Sequence, residues 1–157
     1  MKYARLTKEQ LEELHPEFIN FLATQSIDKA EWDNIKANQP EVAEQELDVF
    51  SDLIWEGVLT RATHLEYFSK NHVFLFDFKE EQIESIVLKA CNPSIDFLTK
   101  DGLHWLSDQL FTDLVEMQKG AKKYSGERNL ALFELIQQGA ILSDGKLYAQ
   151  ILSIILS

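Results

Sequence analysis

The sequence predicts an α+β fold that is predominantly helical, with about five to six helices and one small β-hairpin near residues 72–90. Three observations carry that expectation. Apolar residues recur at spacings of three and four over most of the chain, as on one face of a helix. One short run, HVFLFDF at residues 72–78, is instead rich in β-branched and aromatic residues, which suits a strand. Finally, the chain has 157 residues, 45% hydrophobic content and 17 aromatics. It shows no linker, low-complexity tract or internal repeat. That is the profile of a single globular domain over residues 1–157, burying about 70% of its unfolded surface.

Each element has its own signal. Thr7 opens T-K-E-Q, a capping box with Gln10 at the third helical position. Leu11, Leu14, Phe18, Ile19, Phe21 and Leu22 then come at helical spacing, with His15–Pro16 predicted to kink the helix or to start its second half. Asp28 and Glu31 make a weaker box ahead of Trp32 and Ile35. Pro40 suits the first turn of a long helix predicted to run to about Phe68. After the strand at 72–78, residues 83–90 (IESIVLKA) fit a second strand or a short helix, because Ile83, Ile86 and Val87 match both periods. Asn92–Pro93–Ser94 reads as a turn. Leu103–Lys122 is predicted helical through Leu103, Leu106, Leu110, Phe111, Leu114 and Met117. A fifth helix is predicted over Asn129–Gln138, stopped by Gly139. Ser143–Asp144 then caps a last one from about Gly145 to Leu156.

Charge is placed unevenly. The formal net charge is −11, and residues 1–60 hold five Lys/Arg against thirteen Asp/Glu. An acidic half repels nucleic-acid phosphates and anionic membranes, so neither is expected as a partner, whereas a basic protein surface is attracted. The opening MKYARLTKEQ lacks the apolar run of a signal peptide, and no apolar stretch approaches the ~20 residues of a membrane span. The single cysteine, Cys91, cannot form an internal disulfide. These features fit a soluble, cytoplasmic protein.

The acids are most telling at residues 41–56. Glu44, Asp48, Asp52 and Glu56 recur every four residues, with Glu41 one turn earlier, so they share a helix face. Like charges at that spacing repel by a few tenths of a kcal/mol per pair. A basic partner would relieve this, as would water or a metal. The face is expected to be exposed, and reversing Asp48 to Lys is expected to leave stability unchanged or slightly raised.

Two stretches carry a family resemblance. KYARLTKEQLEELHPEFINFLATQSIDKAEWDNIK (2–36) and YSGERNLALFELIQQGAILSDGKLY (124–148) resemble a family of small bacterial proteins classed as a domain of unknown function. The likeness covers most of the chain. It implies a bacterial, cytoplasmic protein and carries no activity, ligand or catalytic residue.

The remaining candidates rest on the residues alone. Glu12 with His15, and Asp101 with His104, put a carboxylate and an imidazole at the spacing used by di-metal bundles. Pro16 and Gly102 interrupt both pairs, and capping or surface roles explain them as well. His64 and His72 bracket the helix-to-strand junction and are the metal-ligand candidates, set against ordinary helix-end histidines. No metal or other cofactor is assigned. Cys91 has no visible activating base. No Walker loop, G-x-S-x-G, C-x-x-C or H-E-x-x-H occurs, so no catalytic residue is named. Lys122, Lys123 and Arg128, ahead of a helix start at Ser125–Gly126, form a candidate anion site, although lysines at a helix end also answer its dipole. The run KLYAQILSIILS is apolar on most sides and must be covered on most sides. The resulting expectation is a non-enzymatic protein-interaction domain. Glu41, Glu44, Asp48, Asp52 and Glu56 face a basic protein partner, and Ile151, Leu152 and Ile155 make a core or homodimer contact. The alternatives are an Asp/Glu/His metal-binding protein or metal-dependent enzyme, and a small-anion sensor.

Overall fold

The computed structural model describes residues 1–156. The chain divides into two compact units, Met1–Thr60 and Arg61–Ser157. The first is all helical: α1 (Lys8–Glu13), α2 (His15–Ala23), α3 (Lys29–Asn38) and α4, which starts at Pro40 and ends at Arg61. The Thr7 capping box is present in both directions, with the Gln10 amide donating to the Thr7 hydroxyl at 3.2 Å and the Thr7 amide to Gln10 Oε1 at 2.9 Å. His15–Pro16 begins α2, because proline's missing N–H costs nothing in a first turn. Asp28 caps α3 by accepting from the Glu31 amide at 2.8 Å. The apolar faces meet in a core of Leu6, Phe18, Leu22, Trp32, Ala43 and Phe50. The Phe18 ring sits edge-on to Trp32 and Phe50, at 5.2 and 5.0 Å between centroids, the favoured aromatic geometry.

The second unit overturns the predominantly helical expectation. It holds a five-stranded antiparallel sheet of order β4-β3-β2-β1-β5. The strands are β1 (His64–Phe68), β2 (His72–Phe78), β3 (Gln82–Ala90), β4 (Val115–Lys123) and β5 (Ile141–Ser143). With them come α5 (Lys100–Gln109), α6 (Arg128–Gln137) and α7 (Lys146–Ile155). The described residues thus carry seven helices and five strands, so one small hairpin was too little sheet. The long helix stops at Arg61, not near Phe68, because Leu65 and Tyr67 pair with Phe76 and Phe74 across the β1–β2 ladder. Residues 83–90 lie within β3. The predicted helix over 103–122 breaks after Gln109. Leu103, Phe111 and Leu114, counted toward its apolar face, are 41–48% exposed. Beyond the break the chain is a strand, with Val115 and Met117 packed on the core and a lysine-rich tail on the sheet edge. Charged residues suit such an edge because they discourage further pairing.

Directly paired residues share a sheet face. One face carries Val73 and Leu75 of β2, Ile86 and Leu88 of β3 and Val115 of β4, and it packs with Phe97, Leu106, Leu110, Tyr148 and Ile151. The other face carries Tyr67, Phe74 and Phe76, which line a small cavity with Leu135 of α6 and Gln138 at its C-terminal cap. Gly139, at φ +112, ends α6 as predicted.

Candidate functional site

The acidic stripe on α4 is in contact with the chain's own N-terminus. Residues 2–6 lie along it in ladder fashion. The Lys2 and Tyr3 amides donate to the two oxygens of Asp52, at 2.6 and 2.9 Å. Lys2 Nζ reaches Glu56 at 3.3 Å, and the Tyr3 hydroxyl donates to the same carboxylate. Arg5 Nε donates to Asp48 at 2.7 Å, while the other end of the guanidinium meets the Glu44 carboxylate and donates to the Glu44 carbonyl at 3.3 Å. One turn inward, the Leu6 amide donates to Ser51 Oγ at 3.1 Å. Ser51 is fully buried, and Leu6 is part of the helical core.

This arrangement follows from helix geometry. Residues 44, 48, 52 and 56 stack along one face, and 51 lies beside them facing inward. The segment bends at Tyr3, sets its backbone amides on Ser51 and Asp52, and sends the Lys2 and Arg5 side chains to the turns on either side. The acids hold the Arg5 guanidinium in its charged form by accepting its hydrogen bonds, Asp48 first and Glu44 second. Burial, and then the Glu56 carboxylate, push the Tyr3 phenol up to about 12. The contacts remain near water, with Asp48 and Glu44 side chains 31% and 58% exposed. Glu41 is exposed as well. The neutral outcome expected for Asp48→Lys took no account of Arg5, and with Arg5 seated the expected sign reverses.

The other predicted residues are scattered. Ile151 is fully buried in the sheet core and Leu152 packs against it, whereas Ile155 is 39% exposed. Lys122 and Lys123 are exposed on β4, and as strand neighbours they point to opposite faces. Arg128 is committed elsewhere: its guanidinium donates to the Ala62 carbonyl, to the Phe78 carbonyl at 3.3 Å and to Asn129 Oδ1 at 2.9 Å. His64 pairs in register with Asp77 and His72 with Lys89, which sets the two histidines at opposite ends of β2 and on opposite faces. They do not converge. His104 approaches Asp108 at 3.5 Å on the surface of α5. Among the described residues, no three His, Cys, Asp or Glu side chains gather in a way that holds a metal ion. Cys91 is a free, exposed thiol.

Sequence reasoning missed a polar corner beside α7. His64 Nε2 lies 3.6 Å from Asp77, whose other oxygen is 3.3 Å from Lys79, and His64 Nδ1 is 2.8 Å from the Thr63 hydroxyl. Tyr148 packs 5.5 Å from the His64 ring. Burial raises the Tyr148 phenol, as do the Asp77 and Glu84 charges. Gly145, at φ +79, brings its backbone so near that a Cβ would sit 2.6 Å from the imidazole. The alternation His64/Glu66 on β1 and Asp77 on β2 was the available signal, but it has meaning only once β1 is recognised as a strand.

Sequence comparison now supplies a family. The chain belongs to a family of unknown function (DUF6495), whose model matches residues 1–156. No curated protein and no solved structure matches it. Among the described residues, no helix is long and apolar enough to cross a membrane.

Proposed function

We propose that this DUF6495 protein is a non-enzymatic interaction domain of the bacterial cytoplasm whose α4 carboxylates receive a short basic protein segment. One observation carries this reading: the segment Lys2–Leu6 is itself such a ligand, attached to the same chain. Its backbone amides, two cations and a phenol meet four acids spaced one turn apart. A partner segment with cations three residues apart competes for the same groups, with the attraction of the acidic half speeding its encounter. The free thiol of Cys91 fits a reducing compartment. Nucleic acid and membranes are not the expected partners of so acidic a unit.

The test uses a fluorescent peptide of residues 1–8 against the full chain carrying Lys2→Ala and Arg5→Ala, which weaken the resident segment. Saturable binding that weakens with salt, and is lost on further Asp48→Asn and Glu44→Gln substitution, supports the reading. A folded variant with no saturable binding at millimolar peptide overturns it. A second feature favours self-association as the kind of partnership: Ile154, Ile155 and Leu156 leave 45%, 39% and 69% of their surfaces exposed at the end of α7. Light scattering across a concentration series checks this, and a monomer at all concentrations removes the homodimer.

A further inference from the structure

A different face of the protein carries a second inference. On the aromatic face of the sheet, α6 lies toward β1 and β2, where Leu135 faces Tyr67, Phe74 and Phe76. Toward β4, Val87, Ser85 and Ile83 are half-buried, and Glu116, Gln118, Gly120 and Lys122 are exposed. A ladder of rings floors the covered edge of this open half. His72 stacks on Phe74 at 5.9 Å and 23°, and Phe74 on Phe76 at 6.4 Å and 10°. Beside it lies a cavity of about 380 Å³ lined by His72, Phe74, Val87, Lys89, Glu116 and Gln118. Such a volume falls within the range of small-molecule sites, which combine an apolar floor with a few polar groups.

The register lays out the rest. Paired rows cross this face in order: His72–Lys89–Glu116, then Phe74–Val87–Gln118, then Phe76–Ser85–Gly120, then Phe78–Ile83–Lys122. The third row has almost no bulk outside the phenyl ring, so β3 and β4 form a shallow trough there. At its far end Lys122 stands about 14 Å along the strand from Gln118, before its long side chain leans back. The side chains of Lys89, Glu116, Gln118 and Lys122 have no hydrogen-bond or ion-pair partner among the described residues. At one end, then, are a π-surface and an amide that both donates and accepts. In the middle is an unobstructed strip, and at the other end an unpaired cation. Glu116 beside Lys89 leaves the cavity end without net charge, whereas Lys122 stands in a row that holds no carboxylate, which favours it as the anion's place.

We propose that this trough binds a mononucleotide, with its base over Phe74 and Val87 against the Gln118 amide, its sugar over Ser85 and Gly120, and its phosphate at Lys122. Stacking on an aromatic ring suits any base, because every base has a π-face. An amide side chain in reach of a base edge adds paired donor and acceptor contacts. The site is independent of the α4 stripe, so either proposal stands or falls without the other.

The experiment is a calorimetric or NMR titration of the full chain with adenosine monophosphate, adenosine, inorganic phosphate and a single-stranded oligoadenylate. The expected result is saturable binding of the monophosphate, with adenosine weaker by about threefold to fivefold, the effect of one exposed ion pair. Lys122→Ala should weaken the monophosphate by the same factor while leaving adenosine unchanged. Phe74→Leu should weaken both by about tenfold, as expected for loss of one base–ring stack. Because Phe74 is half-buried, Gly120→Val is the companion variant: it fills the trough on an exposed edge strand, where its Cβ would lie 3.3 Å from the Ser85 hydroxyl and turn it aside, and it should abolish binding while the variant keeps a cooperative melt. Four results overturn the proposal. They are no saturable binding of the monophosphate at about 1 mM, binding that ignores both Lys122→Ala and Gly120→Val, inorganic phosphate binding as tightly as the nucleotide, and oligoadenylate binding more than about tenfold tighter, which marks a nucleic-acid surface instead.

Discussion

Separating Arg5 from Asp48 is the sharpest perturbation of the α4 contact. Arg5 meets two carboxylates, and the three side chains are 36%, 31% and 58% exposed. Solvent-screened pairs of this kind are worth about 0.2–1 kcal/mol each. Removing Arg5 also restores the Glu44–Asp48 repulsion, a few tenths more. Arg5→Ala should therefore cost about 1–1.5 kcal/mol, or roughly 3–5 °C in melting temperature for a chain of this size. Asp48→Lys gains attraction to Glu44 and Asp52 along the helix but sets two cations together, for a net loss of about 1 kcal/mol. Urea denaturation of the wild type, Arg5→Ala, Asp48→Ala and the double variant gives the coupling directly. We expect about 0.5–1 kcal/mol at low salt, falling toward zero in 1 M NaCl, where the screening length is about 3 Å. A coupling under about 0.2 kcal/mol at low salt, or a raised melting temperature in Asp48→Lys, would refute the reasoning and detach the N-terminal segment from α4.

Three further outcomes are expected. Gly145→Ala should destabilise by about 2 kcal/mol or more in thermal melts, since alanine is strained at φ +79 and its Cβ would meet the His64 ring at 2.6 Å. Tyr3 should make stability fall in strong alkali: an unfolded tyrosine ionises near 10 and the folded one at about 12, so its contribution is whole below pH 10 and is lost as pH rises through 12. Tyr3→Phe should flatten that part of the curve. Truncation after Tyr148 removes Ile151, which is fully buried in the sheet core. The truncated chain should lose cooperative unfolding by circular dichroism, because burial of one such side chain is worth about 1.5–3 kcal/mol and its removal also opens a cavity.

What the sequence revealed was local. Thr7, Asp28, Pro16 and Gly139 act within a turn of themselves, and each sits where its capping or breaking chemistry put it. What it concealed was the sheet, for two physical reasons. A five-residue strand such as HLEYF offers only two or three alternations, and it directly succeeds a helix whose apolar spacing runs into it. Residues 103–117 hide a break because Leu106, Leu110 and Leu114 keep a four-residue step through the turn at Thr112. The Thr112 hydroxyl there donates to the Gln109 carbonyl at 2.8 Å and accepts from the Leu114 amide at 3.3 Å, holding a turn that periodicity alone does not register.

The stripe on α4 shows the same limit from the other side. Its self-repulsion was legible, since the four acids lie within one helix. Its relief was not, because Arg5 is 39 residues from Glu44 and Lys2 is 50 from Asp52. That separation also shapes how the proposed recognition must work. A tethered segment acts on its seat at an effective concentration in the millimolar range. A free peptide with the same contacts would therefore need millimolar concentration to take half the seats, and one held elsewhere on a partner would need a second attachment or extra contacts of its own. Each tenfold advantage over the resident segment requires about 1.4 kcal/mol. A third cation facing exposed Glu41, one turn beyond Glu44, supplies at most about 1 kcal/mol at such exposure. Charge alone thus gives at most about a fivefold gain, and a partner that displaces Lys2–Leu6 must also replace the contacts that Leu6 makes in the helical core.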